Sequence, residues 1–165
     1  MTWGLLRAIV ILPGTALVFV PALLLWASGG LGATLATPGQ PGFWLAAALG
    51  AAGLVFAVWT ASLFARLGQG TPAPWDPPKR LVVRGPYRHA RNPMITSVLA
   101  MLAAEALLFQ SWPLAAWLAV FFTANAIYFP LSEEPGLARR FGEDYTRYKA
   151  NVPRWLPRLK PWHQA

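Results

Sequence analysis

From Ala8 to Ala65 the chain runs for 58 residues without an Asp, Glu, Lys or Arg, and from Asn92 to Ser132 only Glu105 is charged. A soluble core does not stay uncharged over such lengths, because its elements keep returning to water; helices in hydrocarbon do stay uncharged. Charged residues make up 12% of the whole chain, against ~25% in ordinary soluble domains. These tracts specify an all-α integral membrane protein, with residues 1–165 forming a single membrane domain. The absence of cysteine excludes disulfides, thiolate metal sites and cysteine nucleophiles. Two histidines, His89 and His163, are too few for a histidine-built centre, so no metal is expected.

Crossing ~30 Å of hydrocarbon takes ~20 residues at ~1.5 Å each, and each uncharged tract holds enough for two crossings. The pattern predicts about four transmembrane helices, near 6–27, 43–66, 93–110 and 113–131. Ser28, Gly29, Gly30, Gly32, Thr37, Pro38, Gly39, Pro41 and Gly42 gather between the first two as a chargeless loop. Only Gln110, Ser111 and Trp112 separate the last two before Pro113, which requires a tight helical hairpin. Pro13 and Pro21 are expected to kink the first helix. Its apolar run extends to about Trp26, longer than the ~7 to 15 residues of a signal-peptide core, so it is read as a retained helix. In the second helix Gly53, Ala57, Ala61 and Ala65 recur every fourth residue, predicting a smooth stripe for close helix approach.

Basic residues set the orientation. Lys79, Arg80, Arg84, Arg88 and Arg91 lie in the Pro-rich loop 68–92, and Arg139, Arg140, Arg147, Lys149, Arg154, Arg158 and Lys160 lie in the tail 132–165. The other two loops carry none. The positive-inside bias places both segments, and both termini, in the cytoplasm. Eleven Arg against three Lys, with abundant Ala, point to a bacterial inner (plasma) membrane. The net charge of +8 is then met by anionic head groups. Membrane lipids are therefore the expected partners, and nucleic acid is not needed to explain the charge.

Unusual polar residues concentrate in those two segments. Proline-rich chain up to Pro78 forbids a regular helix and predicts an extended loop. Asn92 followed by Pro93 is a helix start: the Asn side chain caps and the Pro fits the first turn. The free N–H groups and positive dipole end there suit a carboxylate or phosphate, although a plain cap, with Arg91 snorkelling to lipid phosphates, satisfies the same spacing. The tail begins Ser132, Glu133, Glu134, Pro135 and continues as a C-terminal amphipathic helix with Leu137, Phe141, Tyr145 and Tyr148 on one face. Arg140 with Asp144, and Glu143 with Arg147, are spaced for pairing on the wetter side. Such a helix lies on the membrane or packs on the loop.

The ordered combination is more specific than either half. Gly85, Pro86, Tyr87, Arg88, His89, Ala90, Arg91, Asn92, Pro93, Met94, then Glu133, Glu134, Ala138, Phe141, Gly142, Tyr145, Tyr148, and finally Val152, Pro153, Arg154, Trp155, Leu156, Pro157 resemble the isoprenylcysteine carboxyl methyltransferase family, whose relatives include the phospholipid N-methyltransferases. The resemblance covers residues 68–158, about half the chain, and the first two helices carry no signature of it. It implies a membrane methyltransferase that uses S-adenosyl-L-methionine without a Rossmann domain, on a lipophilic small-molecule or lipid substrate. In that family an Arg-His-Pro-x-Tyr motif at a helix start and paired glutamates form the cofactor pocket. By position these are Arg91, Asn92, Pro93, Met94 and Ile95, with Tyr87, the strand-like Leu81 and Val82, and Glu133 and Glu134. Asn92 stands for the motif's His and Ile95 for its Tyr. Phe129 stands where protein-modifying members carry an arginine for the substrate carboxylate.

The implied cofactor has a carboxylate, an ammonium, a sulfonium and a flat adenine. Arg91 and the Asn92 turn suit the carboxylate, Glu133 or Glu134 the ammonium, and Leu81, Val82, Tyr87 and Ile95 the adenine. In-line methyl transfer needs no nucleophile on the protein. Rival readings keep other features in play. A small multidrug-resistance transporter would use the mid-span Glu105, whose local role is otherwise a hydrogen bond to Asn125 or Thr123. An NADPH-dependent reductase of sterol-like substrates would use Lys79 and Arg80 on the 2′-phosphate. A non-catalytic scaffold would bind neither cofactor.

Overall fold

The computed structural model describes residues 3–30, 35–68 and 78–163. Residues 69–77 of the expected Pro-rich loop, and Gly32 of the first loop, lie outside the described residues. Every regular element among the described residues is helical: α1 (Trp3–Gly14), α2 (Val20–Ala27), α3 (Pro41–Leu63), α4 (Pro93–Leu108), α5 (Trp112–Tyr128) and α6 (Glu134–Asn151). Residues 81–83, expected to be strand-like, have no regular structure and pair with no strand. Val10–Ala27, Pro41–Gly68 and Trp112–Asn151 are continuous helical runs long and apolar enough to cross a membrane. Helix α4 has 16 residues, or ~24 Å of rise against the ~30 Å of hydrocarbon.

Proline shapes the long runs by widening the helix instead of bending it at a point. A π turn, Thr15–Phe19, joins α1 to α2, and Val20 N–H reaches back five residues to Thr15 O. In that register the Ala16 carbonyl would next be claimed by residue 21, a proline with no N–H. The indole of Trp117 on α5 donates to Ala16 O at 2.9 Å in its place. The kinks expected at Pro13 and Pro21 are thus one π turn between them. The same device recurs at the start of the tail: Glu134 N–H bonds Phe129 O across the π turn Phe129–Glu133, and Pro135 follows at once. A third π turn, Phe64–Gly68, ends α3.

Helix α3 packs chiefly on α4. Its buried positions are Ala46, Gly53 and Thr60, spaced by seven, a near-parallel seam. A Cβ on Gly53 would sit 2.7 Å from Met101 Cγ and 2.9 Å from Ser97 O. The seam shares only Gly53 with the expected every-fourth stripe, since Ala57 and Ala61 are half-buried and Ala65 is exposed. Ala16, Val98 and Leu102, flanked by Met101, Trp117 and Phe121, form the core where the first π turn meets α4 and α5.

The α4–α5 hairpin turns on Gln110 at φ 47°, with Ser111 N–H on Ala106 O at 3.0 Å. Ala36 N–H donates to Leu108 O at 2.8 Å and Gln110 Nε2 to Gln40 Oε1 at 3.1 Å, so both uncharged loops meet at one end of the bundle. Glu105 lies one turn from the end of α4 rather than mid-span. The expected bond to Asn125 is not made, because Asn125 donates to Phe121 O of its own helix, and Glu105 Oε2 is buried without a partner among the described residues. At the opposite end, α6 carries its apolar face onto the loop: Tyr145, Tyr148 and Val152 are buried against Leu81, Val83, Leu137, Phe141 and Trp162. Gly142, at φ 55° and ψ −128°, breaks the helix between Phe141 and Tyr145, a conformation that glycine tolerates and side chains do not.

Candidate functional site

Two extended pieces of chain lie side by side at the basic end. Arg91 N–H bonds Pro153 O at 2.9 Å, Asn92 N–H bonds Arg154 O at 3.3 Å, Arg158 N–H bonds His89 O at 3.0 Å and Trp162 N–H bonds Arg88 O at 3.0 Å. Arg88 Nε also donates to Trp162 O at 2.8 Å. These bonds join residues more than 60 positions apart, so the tail after α6 is fastened across the turn that precedes α4. Tyr148 on α6 adds an O–H bond to Tyr87 O at 2.7 Å, fully buried.

The π turn leaving α5 delivers two adjacent carboxylates to this junction. Glu134 is 4% exposed. Its Oε1 accepts from Arg91 Nη1 at 2.7 Å and from Arg154 Nε at 2.7 Å, and its Oε2 faces Lys149 Nζ at 2.8 Å. Burial opposes its charge, but the bonds from Arg154 and Lys149 and the fields of Arg91 and Arg154 prevail and hold the carboxyl at about 2. Glu133, half-buried, has no ion pair or hydrogen bond among the described residues. Burial first, and the charge of Glu134 second, push its carboxyl up to about 7.

Five more groups at this junction are short of partners or perturbed. Arg91 Nε and Asn92 Nδ2 are buried with no hydrogen-bond partner among the described residues. Arg91 Nη1 lies 3.4 Å from Tyr145 Oη. Tyr87 is raised well above the ordinary phenol value by burial, then by Tyr148 and Glu133. Burial likewise raises Tyr145 and Tyr148. Asn92 does start α4, yet its side chain makes no capping bond. The expected cap is replaced by a backbone start, with Thr96 N–H on Asn92 O at 3.1 Å, and the amide is left over for something else.

A cleft of about 450 Å³ opens at the turn that precedes α4. It is lined by Phe56 and Trp59 of α3, by Gly85, Pro86, Arg88, His89 and Ala90 of the turn, by Pro93 and Thr96 of α4, and by Trp155, Pro157 and Pro161 of the tail. Phe56 and Trp59 are 39% and 46% exposed on the outer face of a membrane-length helix, so the wall on that side faces lipid. Gly85 makes the fit possible: its φ is 54°, and a Cβ there would lie 3.1 Å from Leu63 Cδ1 and 3.2 Å from Trp59 Cζ2. Trp155 joins cleft to bundle, its ring 5.8 Å from Phe129 and 5.5 Å from Phe122. A larger groove of about 530 Å³ between α2 and α5 is walled by Val20, Leu24, Trp112, Pro113, Ala116, Trp117 and Val120. Having no charged group, it suits lipid tails rather than chemistry.

The residues singled out from sequence divide accordingly. Arg91, Asn92, Glu133 and Glu134 come together, and Tyr87 joins them. Pro93 lines the cleft. Leu81 packs against the Tyr145 and Tyr148 core, and Val82 lies against Gly68, so neither lines the cleft. Met94 and Ile95 are half-buried on the first turn of α4 and line neither feature. Arg154 and Lys149, the two further cations on Glu134, went unassigned; a buried glutamate needs matching cations, and Arg154 stands inside the Pro-Arg-Trp run. Phe56, Trp59 and His89 also went unassigned.

A family model described as phospholipid methyltransferase matches residues 41–144, more than half of the chain. The match begins at the first residue of α3, so the second apolar segment belongs to the family region although the motif reading found no signature there. No curated protein and no solved structure matches the chain.

Proposed function

Because the chain belongs to the phospholipid methyltransferase family, we propose that it is an S-adenosyl-L-methionine-dependent methyltransferase whose acceptor is a lipophilic molecule drawn from the bilayer. The observation that carries the reading is a pair of buried donors without partners among the described residues, Arg91 Nε and Asn92 Nδ2, flanked in sequence by Ala90 and Pro93 of the cleft wall, with Glu133, unpaired among the described residues, next to the Glu134 that holds Arg91. An unmatched acid and unmatched donors in one place fit the ammonium and carboxylate of an amino-acid moiety, since unsatisfied buried groups are otherwise costly. The same site matches neither a transporter built on Glu105, which lies at the other end of α4, nor an anchor for a 2′-phosphate at the exposed Lys79 and Arg80.

Under this reading the cofactor, when bound, supplies an electrophilic methyl group on a sulfonium. Glu133 in its ionised form holds the ammonium. Arg91 Nε and Asn92 Nδ2 hold the carboxylate, supported by the N-terminus of α4. Glu134 keeps Arg91 rigid and takes no part in contact. Tyr87, Pro93 and the backing Leu81 and Val82 exclude water, while Met94 and Ile95 set the first turn of α4. The acceptor enters past Phe56 and Trp59. Holding the reacting atoms at ~3 to 3.5 Å contributes up to ~7 to 11 kcal/mol. Phe129, buried against Trp155, offers no cation to a substrate carboxylate.

Topology follows the same proposal. Helix α4 is the third of four spans, its short length offset because its N-terminus starts at the polar junction, and the basic segments on both sides lie in the cytoplasm with both termini. Calorimetry of the detergent-purified full chain tests the function directly. Saturable binding of S-adenosyl-L-methionine that is displaced by its demethylated product, and not by NADPH, is the expected result. Absence of binding at millimolar cofactor overturns it.

A further inference from the structure

We propose that His89 accepts a proton from the acceptor, and that the acceptor is a lipophilic molecule bearing a phenol-like hydroxyl. The inference rests on the methyltransferase reading and deepens it. His89 Nδ1 lies 2.8 Å from the carbonyl oxygen of Arg158. A carbonyl can only accept, so Nδ1 carries the hydrogen, and in the neutral ring Nε2 then carries the lone pair. Nε2 has no hydrogen-bond partner among the described residues, and the residue lines the cleft. An imidazole whose tautomer is set from behind, with its basic nitrogen unclaimed at a cleft wall, is arranged to take a proton.

The lining selects the acceptor. Among the described residues it contains no carboxylate to neutralise an ammonium, and its two ionisable side chains are Arg88 and His89. Arg88 bonds through Nε to Trp162 O, and its terminal nitrogens make no bond among the described residues. The His89 ring bonds Arg158 O, Arg158 Nη1 donates to Asn151 O, and the cleft is otherwise lined by uncharged residues that include Phe56, Trp59, Pro93, Thr96 and Trp155. A neutral aromatic hydroxyl fits such walls, and the oxyanion it forms is favoured by the Arg88 guanidinium. A carboxylate acceptor would have no proton to give and no use for His89.

The step balances. The acceptor O–H proton passes to His89 Nε2 as the oxygen lone pair forms the O–CH3 bond. The sulfonium S–CH3 bond breaks with its electron pair remaining on sulfur as a neutral thioether, and the imidazolium returns its proton to water. The products are a methyl ether and the demethylated cofactor.

The test uses the full chain in detergent with a long-chain 4-alkylphenol, its more acidic 2-nitro derivative, an alkylamine of equal length, a fatty acid and phosphatidylethanolamine. In cofactor-free protein the nitrophenol absorbance should shift toward the phenolate on binding, and His89→Asn or Arg88→Gln should abolish that shift. His89→Asn keeps a donor for Arg158 O, so the tail stays fastened. Labelled-methyl transfer to the alkylphenol should fall ~100-fold in His89→Asn, with cofactor affinity unchanged, and the deficit should shrink for the nitrophenol, which needs less help to ionise. Equal phenol turnover in wild type and His89→Asn, transfer only to the amine, fatty acid or phosphatidylethanolamine, or cofactor binding with no phenol methylation each overturns the inference while leaving the methyltransferase reading intact. Failure to bind the cofactor overturns that reading instead.

Discussion

Glu134 is clasped by Arg91, Arg154 and Lys149, whereas Glu133, one residue earlier, meets no cation among the described residues. Both leave the same π turn, yet one carboxyl is held at about 2 and the other is pushed up to about 7. Adjacent positions on a helical turn point roughly 100° apart, and here that rotation separates a clasped carboxylate from one with no cation among the described residues. The region around Glu134 is closed: it ties the α4 start, α6 and the tail together. The region around Glu133 is open, with an unpaired acid and two unpartnered donors.

That contrast breaks most easily at its closed half. Glu134→Ala leaves Arg91 buried without its counter-charge, and the expected cost is ~3 to 5 kcal/mol, read as a large fall in the thermal midpoint in detergent. A shift no bigger than that of an exposed substitution would mean that the cluster does not hold the fold. Glu133→Gln is the counterpart. Stability should change little, while cofactor affinity falls by ~1.5 to 3 kcal/mol in calorimetry; a variant that binds as wild type removes Glu133 from the site. Arg91→Ala should lose both stability and affinity, being shared between the two regions.

Glycine at 142 comes next. Gly142→Ala forces a side chain into φ 55°, ψ −128°, at ~1 to 3 kcal/mol, and should loosen α6 without removing any charged contact; an unchanged midpoint would show that the two halves of α6 dock independently of that break. The pH dependence sharpens the comparison because the two signs oppose. Glu134 lies below its unfolded value of ~4.3, so its contribution is present above that value and is lost as pH falls through about 2. Glu133 lies above it, so its contribution is complete below ~4.3 and is lost as pH rises through about 7. Cofactor affinity should run the other way and strengthen as Glu133 ionises through that same range. Lys149→Ala should have the smallest effect, ~0 to 1 kcal/mol, because the lysine is half exposed; a loss matching that of Glu134→Ala would make it an equal partner.

Much of the basic end was legible in the chain. Asn92 with Pro93 marked the start of α4, and the spacing of Leu137, Phe141, Tyr145 and Tyr148 marked the face that buries Leu81 and Val83. What the spacing hid was the assignment of partners. Charge pairing within a helix is readable at four-residue intervals, but Arg91 with Glu134, and Arg154 with Glu134, join residues 43 and 20 positions apart. The π turns were also hidden, because a proline announces a disturbed ladder without saying whether the helix kinks or widens. Glu105 looked central by its place in an uncharged tract, yet α4 ends three residues later at Leu108.

The sequence by itself determined the solvent this protein folds in and the end of the bundle where its charges gather. Uncharged tracts have no favourable place in water, and a backbone in hydrocarbon satisfies itself only as helix or closed barrel. The tertiary structure alone decided which carboxylate is spent on the fold and which stays bare, and which aromatics wall the cleft. Those outcomes depend on side-chain direction after a five-residue turn and on a tail fastened across a distant loop, distances that a linear spacing does not contain.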